Sequence, residues 1–289
     1  MRRMFFRRLR TISLRGFMLS PSVKLKIKKI SLRKKSVKVA EELIATEVPV
    51  NIYVNDQHVV TLFSLPAQLK ELGVGWLLSQ AIVKSIEEII SVQVKENNVR
   101  MNCSRKLETR IKAVKTIKIV DPSCGSTGED FLFLSDRMTR PFVDSDYMVE
   151  AEEILRFVRV LNEKSALFKL TGGTHSAAIF YREKLVASAE DVGRHNAVDK
   201  VIGAAAEKKV DFSRCVIVSS GRQPANMVLK AVRVGIPIVA SIAGPILSGV
   251  DVAVKTGVTL ICFVRGQRMN VYSYPERVKV PKFPAKQTE

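Results

Sequence analysis

The stretch Arg214-Cys-Val-Ile-Val-Ser-Ser-Gly-Arg-Gln-Pro-Ala-Asn-Met-Val-Leu-Lys-Ala-Val-Arg-Val-Gly-Ile-Pro-Ile-Val-Ala-Ser241 decides the fold class. Cys215–Ser219 is a short apolar run of strand composition. Ser219-Ser220-Gly221-Arg222 interrupts it, and Pro224 suits the first turn of a helix that runs to Val234. Ile236–Ser241 is a second apolar run. Strand, helix and strand in this order imply an α/β layered sheet that is at least partly parallel.

The same alternation extends to both sides. Ser176–Tyr181 and Lys184–Ala189 read as strands and Arg194–Lys208 as a helix. Ile246–Thr256 reads as a further helix, followed by strands at Val258–Val264 and Met269–Ser273. Ligands of such sheets bind at the strand C-terminal ends. Upstream, Val48–Val54 and Val59–Leu65 flank the turn signal Asn55-Asp56. Pro66–Val83 has helical spacing, with Gly73 and Gly75 costly there unless another backbone packs close. Ile89–Val94 and Val99–Cys103 form a hairpin pattern, and Ile111–Val120 is a strand candidate. Tyr147–Lys164 is a helix linking two halves. The division expected is a flexible basic arm over 1–40, an α+β part over 41–146, a linking helix over 147–165, an α/β domain over 166–280 and a tail over 281–289.

Charge is concentrated at one end. The 289 residues carry 47 Lys and Arg against 28 Asp and Glu, and the first 40 hold 14 of these bases and no acid. The globular body is only mildly basic, so the high pI argues for nucleic acid only through the arm. The arm reads as solvated, the alternative being a contact with RNA or an acidic partner. Arg7, Arg8, Arg10 and Arg15 interrupt every short apolar run, which argues against a secretory signal. The longest uncharged stretch, Val234–Val250, contains Pro237 and Pro245, which argues against a membrane span. Four cysteines are too few for a disulfide scaffold and point to a reducing compartment.

Candidate chemistry lies in the loops. Cys124 sits in Asp121-Pro-Ser-Cys-Gly-Ser-Thr-Gly128, a loop by composition, where a thiol is reachable and acts as thiolate. Cys215 and Cys262 lie within apolar strands and read as small buried hydrophobes, and Cys103 ends a hairpin strand. No Cys-x-x-Cys supports a zinc site. Ser220, Gly221 and Arg222 at a helix start read as an anion site, the bland alternative being a tight turn. Arg265-Gly-Gln-Arg268 is a second candidate. His175, in Thr171-Gly-Gly-Thr-His175, and His195 are placed to meet across the sheet end. Asp191 is a helix-cap candidate, and Asp199 lies one turn beyond His195. Together these loops suggest a pocket for a large phosphate-bearing ligand.

Thr171–Ala178, the run Glu190-Asp-Val-Gly-Arg-His-Asn-Ala-Val-Asp-Lys200, Ser219–Arg222, Met227–Lys230 and Phe263–Arg268 with Asn270–Tyr272 resemble the formate dehydrogenase accessory sulfurtransferase family (FdhD). The resemblance spans roughly Glu47 to Arg277. It implies a cytoplasmic homodimer with a cytidine-deaminase-like three-layer α/β/α C-terminal domain lacking zinc ligands. It implies a sulfurtransferase that takes sulfur from a cysteine desulfurase as a persulfide on Cys124. The sulfur passes to the molybdenum or tungsten bis-molybdopterin guanine dinucleotide cofactor of formate dehydrogenase. The family's Cys-Gly-x-Cys-Gly loop reads Cys124-Gly125-Ser126-Thr127-Gly128 here, so Thr127 replaces the second cysteine. The cofactor-binding residues implied are Phe263, Val264, Arg265, Gly266, Gln267 and Arg268, with Ser220, Gly221, Arg222, His175, Arg194 and His195 lining the same pocket.

Overall fold

The structure, a computed structural model, describes residues 20–104, 107, 110 and 142–281. The chain opens with an antiparallel hairpin, β1 (Ser22–Ser31) and β2 (Ser36–Ala45), paired along its whole length. Over residues 22–40 this replaces the flexible arm expected for 1–40. Lys24, Lys26, Lys28 and Val37, Val39 alternate with other side chains, and that period of two is a strand signal the charge density obscured. Residues 1–19 lie outside the described residues.

The hairpin leads into β3 (Val48–Val54) and β4 (Gln57–Ser64), joined by Asn55 and Asp56 at φ 47° and 61°. Left-handed geometry at both turn residues suits a two-residue hairpin, and Asn and Asp tolerate it. Helix α1 (Leu69–Ser79) follows, then β5 (Ile89–Lys95) and β6 (Asn98–Cys103). These strands form a four-stranded sheet in the order β4-β3-β6-β5. Helix α1 is shorter than the spacing predicts because Gln68 and Ala81 both take positive φ and bound it. The strand expected at Ile111–Val120 lies outside the described residues.

The second half begins with β7 (Val149–Glu150), helix α2 (Ala151–Lys164) and the short helix α3 (Ala166–Thr171). The linking helix starts four residues later than expected because Val149 and Glu150 pair with β14 (Val278–Lys279) instead. Then come β8 (His175–Tyr181), β9 (Lys184–Asp191), α4 (Arg194–Glu207), β10 (Cys215–Ser219), α5 (Ala225–Val234), β11 (Ile238–Ser241), α6 (Leu247–Thr256), β12 (Thr259–Arg265) and β13 (Arg268–Val271). The six-stranded sheet has the order β13-β12-β11-β10-β8-β9, with β10, β11 and β12 parallel. Side chains of α2 pack on one face and those of α4, α5 and α6 on the other, giving the three layers.

Two glycines join the halves. A Cβ on Gly73 would lie 2.7 Å from Val99 Cγ1, and one on Gly75 would lie 1.7 Å from the Asp199 carbonyl oxygen. Two residues apart on a helix, they point to nearly opposite sides. Helix α1 is therefore pressed between the four-stranded sheet and α4, and one apolar core runs from Val48 to Leu260 across both halves.

Candidate functional site

Parallel β10, β11 and β12 end together at one sheet edge. Strand β8 is antiparallel to β10 and β9 antiparallel to β8, so β9 runs with β10–β12, and the pairing of His175 with Asp191 brings the start of β8 and the end of β9 to that same edge. The turns at 171–175, 191–194, 219–224, 241–246 and 265–268 therefore share one edge, as the sequence predicts for a ligand site.

His175 Nδ1 lies 3.2 Å from Ser220 Oγ, which also accepts a 3.0 Å bond from the Ser176 amide. A Cβ on Gly221 would stand 2.9 Å from Arg194 Cβ, so glycine lets the 219–222 turn lie against the first residue of α4. Burial first, then the charges of Arg194 and Arg222, push the His175 pKa below its ordinary value. His175, Arg194, Ser220, Gly221 and Arg222 thus form one cationic cluster, with His195 next along α4. The turn is held from beneath by residues the sequence reading missed. Gln223 Nε2 donates to Ser219 Oγ at 2.8 Å and to the Gly221 carbonyl at 2.9 Å. Ser241 Oγ donates to the same carbonyl at 2.7 Å.

At the neighbouring turn, Phe263 takes φ 53° where the β12–β13 register shifts. Phe263 is 37% exposed, and its ring covers Gly244, where a Cβ would lie 2.7 Å from Cζ. Arg265 Nε donates to the Ile242 carbonyl at 2.9 Å, and its guanidinium lies 5.8 Å from the Phe263 ring centroid. Gly266, Gln267 and Arg268 are exposed, whereas the Val264 side chain is buried in the core on the α2 face and leaves only backbone for a ligand. An aromatic face, exposed arginines and turn amides suit a nucleotide diphosphate.

Below this edge lie two buried ion pairs. Lys200 Nζ lies 2.6 Å from Asp191 Oδ2, which also accepts from Ser64 Oγ and the Leu65 amide. Asp191 Oδ1 accepts from the Gly193 amide and from Asn196 Nδ2, so Asp191 braces the β9–α4 turn. Asp199 turns to Lys230 at 2.7 and 2.8 Å and to Ser79 Oγ at 2.6 Å. The available signal was a lysine inside an otherwise apolar helix face, at Lys200 and Lys230.

Cys103, Cys215 and Cys262 are buried, and burial raises their thiols to about 11, about 12 and about 12 respectively. Cys124 and Thr127 lie outside the described residues. Among the described residues, no group of three or more His, Cys, Asp or Glu is arranged to hold a metal, and no helix is long and apolar enough to cross a membrane.

The sequence model of the FdhD/NarQ family matches residues 45–279. The sulfur carrier protein FdhD of Methanothermobacter thermautotrophicus is 35% identical over 237 residues, covering 82% of this chain and 92% of that protein. Its counterpart in Sulfurisphaera tokodaii is 34% identical over 259 residues, covering 88% and 98%. A crystal structure assigned as a formate dehydrogenase accessory protein from Desulfotalea psychrophila superposes with a TM-score of 0.73 at 29% identity. That match covers 89% of this chain and 99% of that one.

Proposed function

The chain belongs to the FdhD/NarQ family, and on that premise we propose that it is a sulfur carrier using Cys124 in the maturation of a formate dehydrogenase. One observation carries the assignment to Cys124. Of the four cysteines in the chain, Cys103, Cys215 and Cys262 are buried with thiols raised to about 11 or 12. A persulfide carrier must present a thiolate to a donor protein. The donor is a cysteine desulfurase: the Cys124 thiolate attacks the outer sulfur of the donor's persulfide, and the donor cysteine leaves as its thiol.

The acceptor, as substrate, is the molybdenum or tungsten bis-molybdopterin guanine dinucleotide. Arg265 and Arg268 face its diphosphates, the Phe263 ring offers a surface for stacking, and His175, Arg194, His195 and Ser220–Arg222 hold the remaining charge. The work is cytoplasmic and done by a homodimer. Thr127 supports a second reading, in which the protein carries the cofactor without sulfur chemistry, since a second loop thiol is missing.

Intact mass after incubation with a cysteine desulfurase and cysteine separates the two. The carrier reading expects a gain of about 32 Da, reversed by reductant and absent in Cys124→Ala. No gain with an active donor overturns it. Unchanged nucleotide binding in Cys124→Ala, with loss in Arg265→Ala plus Arg268→Ala, then supports the cofactor carrier.

A further inference from the structure

The β1–β2 hairpin stands outside both apolar cores, to which no residue within 22–45 belongs. It meets the body mainly through β2 on α3. That contact lies towards the root, where Leu170 of α3 lines a small cleft with Lys24 and Leu43. Ile30 pairs with Val37 eight residues beyond the root pair of Ser22 with Ala45, about 27 Å along the ribbon at the rise of a strand. A two-stranded ribbon is marginal in water by itself, so its free end calls for a partner.

At that free end Ile30, Leu32, Val37 and Val39 are 68%, 87%, 64% and 73% exposed. The Lys35 amide donates to the Leu32 carbonyl at 3.2 Å and the Lys34 amide to Ser31 Oγ at 3.2 Å, which closes the turn. The turn carries Arg33, Lys34 and Lys35 beside Leu32. Alternation along the strands puts Ile30, Val37 and Val39 on the same face as Lys24, Lys26 and Lys28. The two acids of the hairpin, Glu41 and Glu42, lie on its root half, where Glu42 pairs with Lys29 at 3.3 Å. The tip is thus an aliphatic patch ringed by bases and clear of acids.

Composition separates the kinds of partner. Residues 22–45 hold seven Lys, one Arg and no aromatic residue. The cores of protein interfaces are enriched in aromatics and Arg and depleted in Lys. Proteins that read single-stranded nucleic acid stack its bases on aromatic side chains, and a duplex backbone gives exposed aliphatic groups nothing to bury against. An anionic lipid surface engages both features at once. Aliphatic side chains enter the acyl boundary while neighbouring bases stay among the headgroups.

We propose that the tip of the β1–β2 hairpin anchors the protein to an anionic membrane surface. Ile30, Leu32, Val37 and Val39 enter the leaflet, and Arg33, Lys34 and Lys35 meet the lipid phosphates. The contact is interfacial and crosses nothing. The root of the hairpin touches the 171–175 turn, with Ala45 Cβ 3.3 Å from a Cβ position on Gly173. An anchored tip therefore holds the ligand edge about one hairpin length from the bilayer. The anchor is independent of the sulfur-carrier reading, because vesicle binding is measured without any sulfur chemistry.

The test is co-sedimentation of the full chain with vesicles of phosphatidylcholine alone and of phosphatidylcholine mixed with phosphatidylglycerol. The wild type sediments with the anionic vesicles alone, and salt weakens its binding. Arg33→Gln, Lys34→Gln and Lys35→Gln in one variant weaken binding by about a hundredfold, each base near such a surface contributing about fivefold. Ile30→Ser, Leu32→Ser and Val37→Ser in a second variant weaken it by about tenfold or more with the charge unchanged. Both variants keep the bases of residues 1–19, so either loss belongs to the hairpin. Leu32→Trp, a change confined to the turn, shifts its emission to the blue on anionic vesicles, the native Trp76 being buried already. No wild-type binding at low salt, binding undiminished in either multiple variant, or an unshifted Leu32→Trp spectrum overturns the proposal. Binding of the wild type to polyuridylate but not to vesicles would assign the bases to nucleic acid and equally overturn it.

Discussion

Lys200 Nζ lies 2.6 Å from Asp191 Oδ2 with both side chains wholly out of solvent, and the same oxygen receives the Ser64 hydroxyl and the Leu65 amide. The pair thus clamps the end of β4, from the N-terminal half, to the turn that begins α4. Burying two charges is offset only when every partner is present. Lys200→Met leaves Asp191 without a counter-charge and is expected to lower stability by about 3 kcal/mol or more. Lys200→Met with Asp191→Asn should lose clearly less than the sum of the singles. Urea unfolding of the four proteins measures both, and additive losses would mean that the two groups are not coupled.

The crossing of α1 over α4 makes a sharper demand. A Cβ on Gly75 would meet the Asp199 carbonyl at 1.7 Å, and one on Gly203 the Glu71 carbonyl at 2.1 Å. Both obstacles are helix backbone, so neither can swing aside. Gly75→Ala should cost at least ~3 kcal/mol, at or above the upper end of overpacking penalties. Gly172→Ala, in open space at φ 65°, should cost only about 1 kcal/mol. Thermal melts of the two variants compare steric exclusion with backbone strain directly, and equal shifts would refute the close crossing.

This crossing shows why the sequence could be read only in part. The alternation of apolar runs located β8, β10, β11 and β12 because those strands are buried along most of their length, whereas β9 and β13, towards the sheet's two sides, were legible from their flanking turns. The same reading placed the ligand loops at one edge, since parallel strands must end together. It could not foresee Asp191 with Lys200 or Asp199 with Lys230. A lysine in a helix is ordinarily solvated, and its burial depends on which carboxylate folding brings to it from other elements. The hairpin was hidden for the converse reason: its lysines suggested solvent, and their alternation with Val and Ile was weighed less than their number. Thr127 and Cys124 could be compared only with the family's loop pattern.

His175 supplies a pH dependence whose sign follows from its surroundings. Burial, then the charges of Arg194 and Arg222, place its folded pKa below the ordinary 6.5. A depressed value means that stability from this group is complete above the unfolded pKa and is lost as pH falls through the folded one. An anion held by the two arginines cancels part of their repulsion and favours the imidazolium. Binding therefore takes up a proton, and affinity should rise as pH falls from about 7.5 to about 6. Sulfate keeps its charge over that range and is the suitable probe. Calorimetry in buffers of different ionisation heat reads the proton uptake directly. His175→Asn should abolish it, and uptake that persists in the variant would place the titrating group elsewhere.

The thiols allow a count that bears on the carrier without needing a donor enzyme. Alkylation proceeds through the thiolate. A thiol raised to about 11, as in Cys103, or to about 12, as in Cys215 and Cys262, is ionised in fewer than about one molecule in a thousand near pH 7.5. Cys215 is further engaged by a 3.4 Å contact from its sulfur to the Asp211 carbonyl. Brief iodoacetamide treatment of the native protein should add one label, on Cys124, whereas treatment in denaturant should add four. Native Cys124→Ala should then add none. Peptide mapping that finds the first native label on Cys103, Cys215 or Cys262 would show that the buried set opens readily. The assignment of the carrier thiol by exclusion would then fail, whatever the fate of Cys124 in sulfur transfer.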